Sequence, residues 1–345
     1  MNNSAREINI PVTHIALNPN NSGYVETLYA VVPQSFGQLT DYVSLASAHK
    51  ILIKRHGGMG DILMLTPTLR QLHRDYAHLD IHVAIDKQFI PLLNGLNYVT
   101  VHSIAGAIDD DVSSPKPIYD EIIDLNAFVE RSPRRKTIDR ASLFAEAFGM
   151  KLNDGRPEYR ITQAEEEFAT NWWSINIPPD KPVIALASLA TDPRRCWPSQ
   201  HARRFAELAT SGGATVLWLH SNIEARPIVA GIEGVVYGDE FRIRQLPPVV
   251  ERCDVLVSVD SGLSHIGGVV QQKKMPFMVL LFGQWPPELR LKWYKNYFVF
   301  YPEKQLSCVP CFASPKPHTC RGECMRIITP EQVWKVVEKF GLGWE

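Results

Sequence analysis

The stretch "ILIKRHGGMGDILMLTPTLRQL", Ile51 to Leu72, constrains the fold more than any other part of the chain. A short apolar run leads straight into three glycines. A helical pattern follows, with Ile62, Leu65, Leu69 and Leu72 on one face and Asp61 placed to cap it. A strand this short and this apolar belongs in a sheet covered on both faces. Handing over to a helix through a tight turn makes it the repeating unit of a parallel α/β sheet.

The unit recurs along the chain. "IHVAI", "YVTVHSI" and "YDEIIDL" read as strands, with "KQFIPLLNGL" and "RSPRRKTIDRASLFAEAFGM" as helical segments between and after them. Then comes a proline-rich linker, "NIPPDKP", Asn176 to Pro182, and the alternation starts again. "VIALASL", "ATVLWLH", "DVLVSV" and "FMVLLFG" are strands; "PSQHARRFAELATSG", "RQLPPVVERC" and a segment from about Ser264 are helices. The tail "TPEQVWKVVEKFG" carries threonine at the N-cap, proline at N1 and Gly341 as the stop. Before all this, "INIPVTHIAL" and "YVETLYAVV" flank the turn-rich "NPNNSG" as a β-hairpin would. The expected organisation is a β-rich extension over 1–49, one α/β unit over 50–175, a second over 176–328, and a C-terminal helix over 329–345.

At 345 residues the chain is too long for one ordinary core, which agrees with two units. A net charge of −1 gives no reason to expect nucleic acid as a bulk partner. No apolar run reaches the ~18–20 residues of a membrane span. The first residues lack the charged-then-greasy order of a signal peptide. A cytoplasmic protein is the expectation.

The glycine loop is not a good dinucleotide fingerprint, because Leu63 stands where the third glycine is wanted. That argues against a nicotinamide-dependent oxidoreductase. No Gly-Lys-Ser/Thr follows, so it is no Walker loop either. Gly57, Gly58 and Gly60 would let backbone approach a ligand. The helix N-terminus would hold Asp61 ionised, suited to general-base work on a hydroxyl. The bland alternative is a helix cap.

In the second unit, "SVDSGLSHIGG" ends a buried strand with Asp260-Ser261-Gly262 at the start of a helix. Ser261, Gly262 and the first helical N–H groups form an anion cradle, to which His265 adds a donor. A Ser–His–Asp hydrolase fits poorly: Ser264 and His265 are sequence neighbours and do not face each other on a helix. "ASLATDPRRCWPSQ" follows the first strand of this unit. Ser188, Thr191 and Arg195 lie at a strand's C-terminal end, where open α/β sheets bind ligands, and arginine matches phosphate oxygens. Trp197 reads as packing and Arg194 as a solvated neighbour.

The segments "ILIKRHGGMGDILMLTPTLRQL", "DPRRCWP", "SVDSGLSHIGG" and "VLLFGQWPP" occur in the order seen in bacterial ADP-heptose:lipopolysaccharide heptosyltransferases, glycosyltransferase family 9, and the chain resembles that family over Ile51 to Gly341. The resemblance implies a GT-B architecture, two Rossmann-like domains facing across a cleft, the first holding the acceptor and the second a nucleotide sugar. It implies Asp61 as catalytic base and Asp260 as a contact to the transferred sugar. Ser261, Gly262 and His265 would hold the diphosphate, Arg195 would take the place of the commoner lysine on phosphate, and Glu224 would hold the ribose. The implied reaction is inverting transfer of a sugar, heptose from ADP-heptose, to a hydroxyl. A catalytically inactive nucleotide-sugar-binding module is the competing class; it would have no need for both Asp61 and Asp260.

Cys308, Cys311, Cys320 and Cys324 are spaced C-x₂-C-x₈-C-x₃-C, which suits a tetrahedral zinc or iron site with a closed, structural coordination sphere. Two disulfides are the alternative reading. The position also resembles the iron-binding finger of autotransporter heptosyltransferases. No catalytic metal is expected. "ERSPRRKTIDR", Glu130 to Arg140, carries five cationic residues that would meet phosphorylated lipopolysaccharide core or form a solvated face. The unmatched extension and the cysteine motif tilt the acceptor towards a protein, or towards a homo-oligomer contact; a modified nucleic-acid base is a further alternative.

Overall fold

The computed structural model describes residues 15–16, 45–105, 118–220, 223–270, 274–311 and 320–343. They form an α/β fold with two sheets. The described chain opens with a two-residue strand, β1 (Ile15–Ala16), and the first sheet begins at β2 (Lys50–Arg55). Then follow α1 (Met59–Asp75), β3 (Asp80–Ile85), α2 (Ile90–Leu93), β4 (Thr100–Ser103), β5 (Glu121–Asp124), α3 (Leu125–Arg131), α4 (Arg140–Glu146) and α5 (Gln163–Asn176). The strand order is β4-β3-β2-β5, all parallel. Ile51, Leu52 and Ile53 are all fully buried, as a strand covered on both faces requires.

The second sheet starts at β6 (Val183–Ala187) and runs through α6 (Ser199–Ser211), β7 (Thr215–Trp218), β8 (Val235–Tyr237), α7 (Leu246–Arg252), β9 (Val255–Val259), α8 (Gly262–Val269), β10 (Phe277–Leu281), α9 (Glu288–Leu291), β11 (Tyr297–Phe300), α10 (Glu323–Arg326) and α11 (Pro330–Val336). Its order is β1-β11-β10-β9-β6-β7-β8. Read from β8, the six parallel strands follow the doubly wound Rossmann order, with the reversal between β6 and β9. The first sheet reverses likewise between β2 and β5. α1 and α8, the helices that leave β2 and β9 at these reversals, pack against each other.

Strand β1 lies within the first expected hairpin arm and pairs antiparallel with β11, Ile15 opposite Phe298. The other expected arm, "YVETLYAVV", lies outside the described residues. Helix α8 begins at Gly262, two residues before Ser264. The C-terminal helix is capped by Thr329 with a Gln332 capping box, as the sequence indicated, but does not stop at Gly341. It loosens into a π-helical turn over Val337–Leu342 and ends at left-handed Gly343 (φ 67°). Gly341 serves packing instead: a Cβ there would stand 2.6 Å from Val255.

Candidate active site

The N-terminal turns of α1 and α8 meet glycine to side chain. A Cβ on Gly60 would lie 2.3 Å from Cδ2 and 2.6 Å from Nε2 of His265, and one on Gly262 would lie 2.8 Å from Cβ of Met59. Any larger residue at either place would push the two helices apart. Gly57 serves the carboxylate of Asp61, since its missing side chain leaves room for that group, whose Oδ2 would be 3.0 Å from a Cβ. Gly58 is the N-cap of α1, with open space beside it.

Asp61 therefore does not cap its helix; it sits in the first turn and its carboxylate reaches two buried arginines. Arg55 Nη2 is 3.3 Å and Arg140 Nε 3.5 Å from Asp61 Oδ1. Both guanidiniums also bind Glu130 Oε1, at 3.4 and 3.2 Å, and Arg55 Nη1 donates to Asn126 Oδ1 at 2.9 Å. Burial by itself would raise the Asp61 pKa. Arg140, Arg55, Arg290 and His265 outweigh it and hold the carboxyl below its ordinary value. The ionised state expected from the helix N-terminus is thus secured mainly by arginines. Glu130 is held low in the same way, burial opposing and Arg140 and Arg55 prevailing.

His265 occupies the centre. Its ring is buried, its Nδ1 lies 2.6 Å from the Tyr294 hydroxyl, and burial depresses its pKa to about 4. The imidazole is neutral at physiological pH, so whatever it offers a ligand is a hydrogen bond and not a charge. Asp61 and Asp260 both act electrostatically on this ring, as do Arg290 and Arg195. The two aspartates singled out in the sequence, one after β2 and one after β9, both lie within electrostatic reach of this imidazole.

Asp260 follows β9 and is 4% exposed. Arg195 Nη1 donates to its carbonyl oxygen at 2.9 Å and stands 3.6 Å from its Oδ2, which has no hydrogen-bond partner among the described residues. Ser261 is the N-cap of α8 but makes no side-chain cap bond. The first N–H groups of that helix, beside Arg195, suit an anion. Ser188, just past β6, is buried, and its hydroxyl has no partner among the described residues.

Thr191 is exposed, and Glu224 is exposed on a 3₁₀ turn (Ile223–Ile228) after β7. Arg194 is no idle neighbour: its guanidinium binds Asp192 (Nη2 to Oδ2, 2.7 Å), and Gln284 Nε2 donates to the same carboxylate at 2.9 Å. Trp197 is packing, with its indole N–H on Ile328 O at 2.9 Å. The basic run does not present a bare cationic face. Arg134 pairs with Glu146, Arg135 with Glu130, and Arg140 is buried against Asp61.

The sequence reading missed Arg55, Glu130, Arg290 and Tyr294. A charge ending the apolar run "ILIKR" was the available signal for Arg55. Arg290 and Tyr294 gave none, because they reach the site only through the packing of α8 and α9. A tie between the two sheets' layers also went unread. Lys292 Nζ and Trp293 Nε1 donate to Asp139, the N-cap of α4, at 2.9 and 2.8 Å.

The four clustered cysteines are gathered into one neighbourhood. The Cys324 thiol is pushed up to about 12 by burial, and then by the proximity of Cys311, Cys320 and Cys308. None of the described cysteines is in a disulfide. Among the described residues no three His, Cys, Asp or Glu side chains stand in a metal-holding group. The donor set fits a thiophilic metal by chemistry, not by arrangement. The neighbourhood abuts the Arg195 loop, for a Cβ on Gly322 would lie 3.0 Å from Arg194 O.

A doubly wound sheet with an uncapped helix and an arginine at its reversal is the mark of a protein that handles a phosphorylated ligand. The profile of glycosyltransferase family 9 (heptosyltransferase) matches residues 129–321, more than half the chain. The chain belongs to that family and is a glycosyltransferase. No curated protein matches its sequence.

Solved structures share the fold. A family 9 glycosyltransferase from Veillonella parvula is 18% identical, with TM-score 0.64, covering 86% of this chain and 97% of that one. The E. coli ADP-heptose lipopolysaccharide heptosyltransferase II is 16% identical, with TM-score 0.59, covering 85% and 99%. The iron-containing dodecameric glycosyltransferase TibC of enterotoxigenic E. coli is 14% identical, with TM-score 0.61, covering 86% and 77%. Among the described residues no helix is long and apolar enough to cross a membrane.

Proposed function

We propose that this protein is a GT-B enzyme moving a sugar, heptose from ADP-heptose, to a hydroxyl of lipopolysaccharide core or a protein, with inversion at the anomeric carbon, in the cytoplasm. Residues 50–175 form the acceptor domain, 176–328 the donor domain, with 1–49 and 329–345 as extension and closing helix. One observation supports the reading: the first turn of α1, which carries Asp61, packs through Gly60 on buried His265, and Asp260, with Arg195 3.6 Å from its Oδ2, lies within electrostatic reach of the same ring.

In this mechanism the acceptor oxygen attacks the anomeric carbon as its proton passes to the Asp61 carboxylate. The bond from that carbon to the phosphate oxygen breaks, and its electron pair leaves with the diphosphate. Arg195, the first N–H groups of α8 with Ser261 and Gly262, and a hydrogen bond from His265 stabilise the departing charge. Asp260, whose Oδ2 has no hydrogen-bond partner among the described residues, is placed to hold a hydroxyl of the transferred sugar. Arg290 lies within electrostatic reach of both Asp61 and His265 and adds positive charge between the two halves of the reaction.

Cys308, Cys311, Cys320 and Cys324 are assigned to a structural iron or zinc ion, a reading supported by their spacing along the chain and by the iron-containing neighbour TibC. The ion, when bound, would brace the Arg195 loop. A homo-oligomer belongs to the same reading, TibC being dodecameric.

The test is incubation with a panel of nucleotide sugars, following release of nucleoside diphosphate with and without lipopolysaccharide core or candidate protein acceptors. Acceptor-dependent release with a β-to-α or α-to-β change in the product supports the reading. Donor binding with no turnover on any acceptor would favour the inactive binding module.

A further inference from the structure

One buried carboxylate ties the two sheets' layers together, and the proposed reaction gives it no part. Asp139 is 4% exposed and stands at the N-cap of α4, where its Oδ1 accepts Ser142 N at 3.0 Å. That alone would be an ordinary cap. The same carboxylate also accepts two donors from the segment between α9 and β11, Trp293 Nε1 on Oδ1 at 2.8 Å and Lys292 Nζ on Oδ2 at 2.9 Å. Donors on both oxygens fix the group's orientation, and the bond from Lys292 is charge-assisted.

The indole is seated as well as bonded. It packs on Ala141, Ala145 and Leu152 beside Met150. Gly155 leaves room for it, since a Cβ there would come 2.2 Å from Cε2 of the ring. Any larger residue at 155 would push Trp293 out. A side chain that follows α9 of the second sheet's layer thus fills a socket built around α4 of the first.

The neighbours at each end of this tie give it a use. Arg140 follows Asp139 directly, is buried, and holds its Nε 3.5 Å from Asp61 Oδ1. On the other side Tyr294 follows Trp293, and its hydroxyl lies 2.6 Å from His265 Nδ1. Arg290, on α9 just before the tie, acts electrostatically on both Asp61 and His265. We infer that Asp139 and Trp293 are positioning residues, which act through these neighbours to set the distance between the Asp61 carboxylate and the His265–Arg290 side of the reaction. The inference rests on the proposed role of Asp61. A displacement on the order of 1 Å in groups so held can cost ~10²-fold in rate.

The experiment compares Trp293→Phe, which keeps an aromatic ring in the socket and loses the N–H, with Asp139→Asn, which keeps a capping acceptor and loses the charge. Each is made in the wild-type chain and in Asp61→Asn. The measurements are kcat and KM with the donor and acceptor that the wild type turns over, titration with ADP, and thermal melting. In the wild-type chain each substitution should lower kcat about 10–100-fold and leave ADP affinity within about twofold. In the Asp61→Asn chain it should cost less than about twofold more, because the group being positioned is already lost. A merely structural tie would slow both backgrounds by the same factor, and that result overturns the inference. So does a folded variant within about threefold of wild-type kcat, or loss of the fold in both variants. Undiminished turnover in Asp61→Asn alone, or a wild type inactive on every donor and acceptor, overturns the proposed reaction itself, and this inference with it.

Discussion

Replacing Asp61 by Asn removes one negative charge at nearly constant shape, and two buried arginines feel the loss first. Arg55 and Arg140, 3% and 5% exposed, lose a carboxylate at 3.3 and 3.5 Å and keep only Glu130, at 3.4 and 3.2 Å. Breaking a fully buried pair costs about 3–5 kcal/mol. Here Glu130 still neutralises the arginines in part and the Asp61 side chain is 23% exposed, so roughly 1–2 kcal/mol is expected, or a few degrees of melting temperature. The rate should fall much further. Loss of a general base removes ~10²–10⁴-fold, so turnover should drop at least ~100-fold with donor affinity held. Glu130→Gln separates charge balance from proton abstraction: it should lose similar stability, with a rate deficit of less than ~10-fold. The assay is release of nucleoside diphosphate beside thermal melting and donor titration. A folded Asp61→Asn protein within about threefold of wild-type turnover would refute the base assignment. Equal rate losses in the two variants would assign the effect to the arginines' charge balance.

Gly60→Ala opposes two effects. Helix propensity favours alanine by about 1 kcal/mol, whereas three atoms of the His265 ring lie 2.3–3.0 Å from the new methyl, an overpacking worth about 1–3 kcal/mol. A lower melting temperature and lower kcat/KM are expected; a stabilised, fully active protein would show that the α1–α8 contact opens freely. For pH, His265 and His220 are held at about 4 in the folded chain against 6.5 when free, so the unfolded state binds their protons first. Their contribution is complete above about pH 6.5 and declines as pH falls towards 4, at about 1.4 kcal/mol per pH unit for each ring. Urea midpoints that stay flat between pH 7 and 5 would contradict this burial. Purified protein should carry about one equivalent of iron or zinc, reduced by Cys308→Ser with Cys320→Ser; under half an equivalent without added chelator would remove the metal assignment.

What the sequence determined by itself is what local chemistry dictates. Apolar runs too short for helices, each ended by glycine or a polar turn and followed by a 3.6-residue pattern, leave little but parallel α/β sheets. Asp61, Asp260 and Arg195 stood out for the same reason: each lies in the turn or first helical turn that follows a strand, the end of an open α/β sheet at which ligands bind. Tertiary structure decided everything that depends on two distant segments meeting. Arg140 reads as one of five cations in a surface run, and only the packing of α4 beneath α1 turns it into a buried partner of Asp61. His265 reads as a donor at an anion cradle, and only its burial against Gly60 and Tyr294 shows that the ring is neutral. Gly341 reads as a stop signal, and only Val255 beneath it shows that the glycine is there for close approach. Propensity and periodicity are properties of neighbours in the chain, whereas a pKa, an ion pair or a steric limit belongs to neighbours in space.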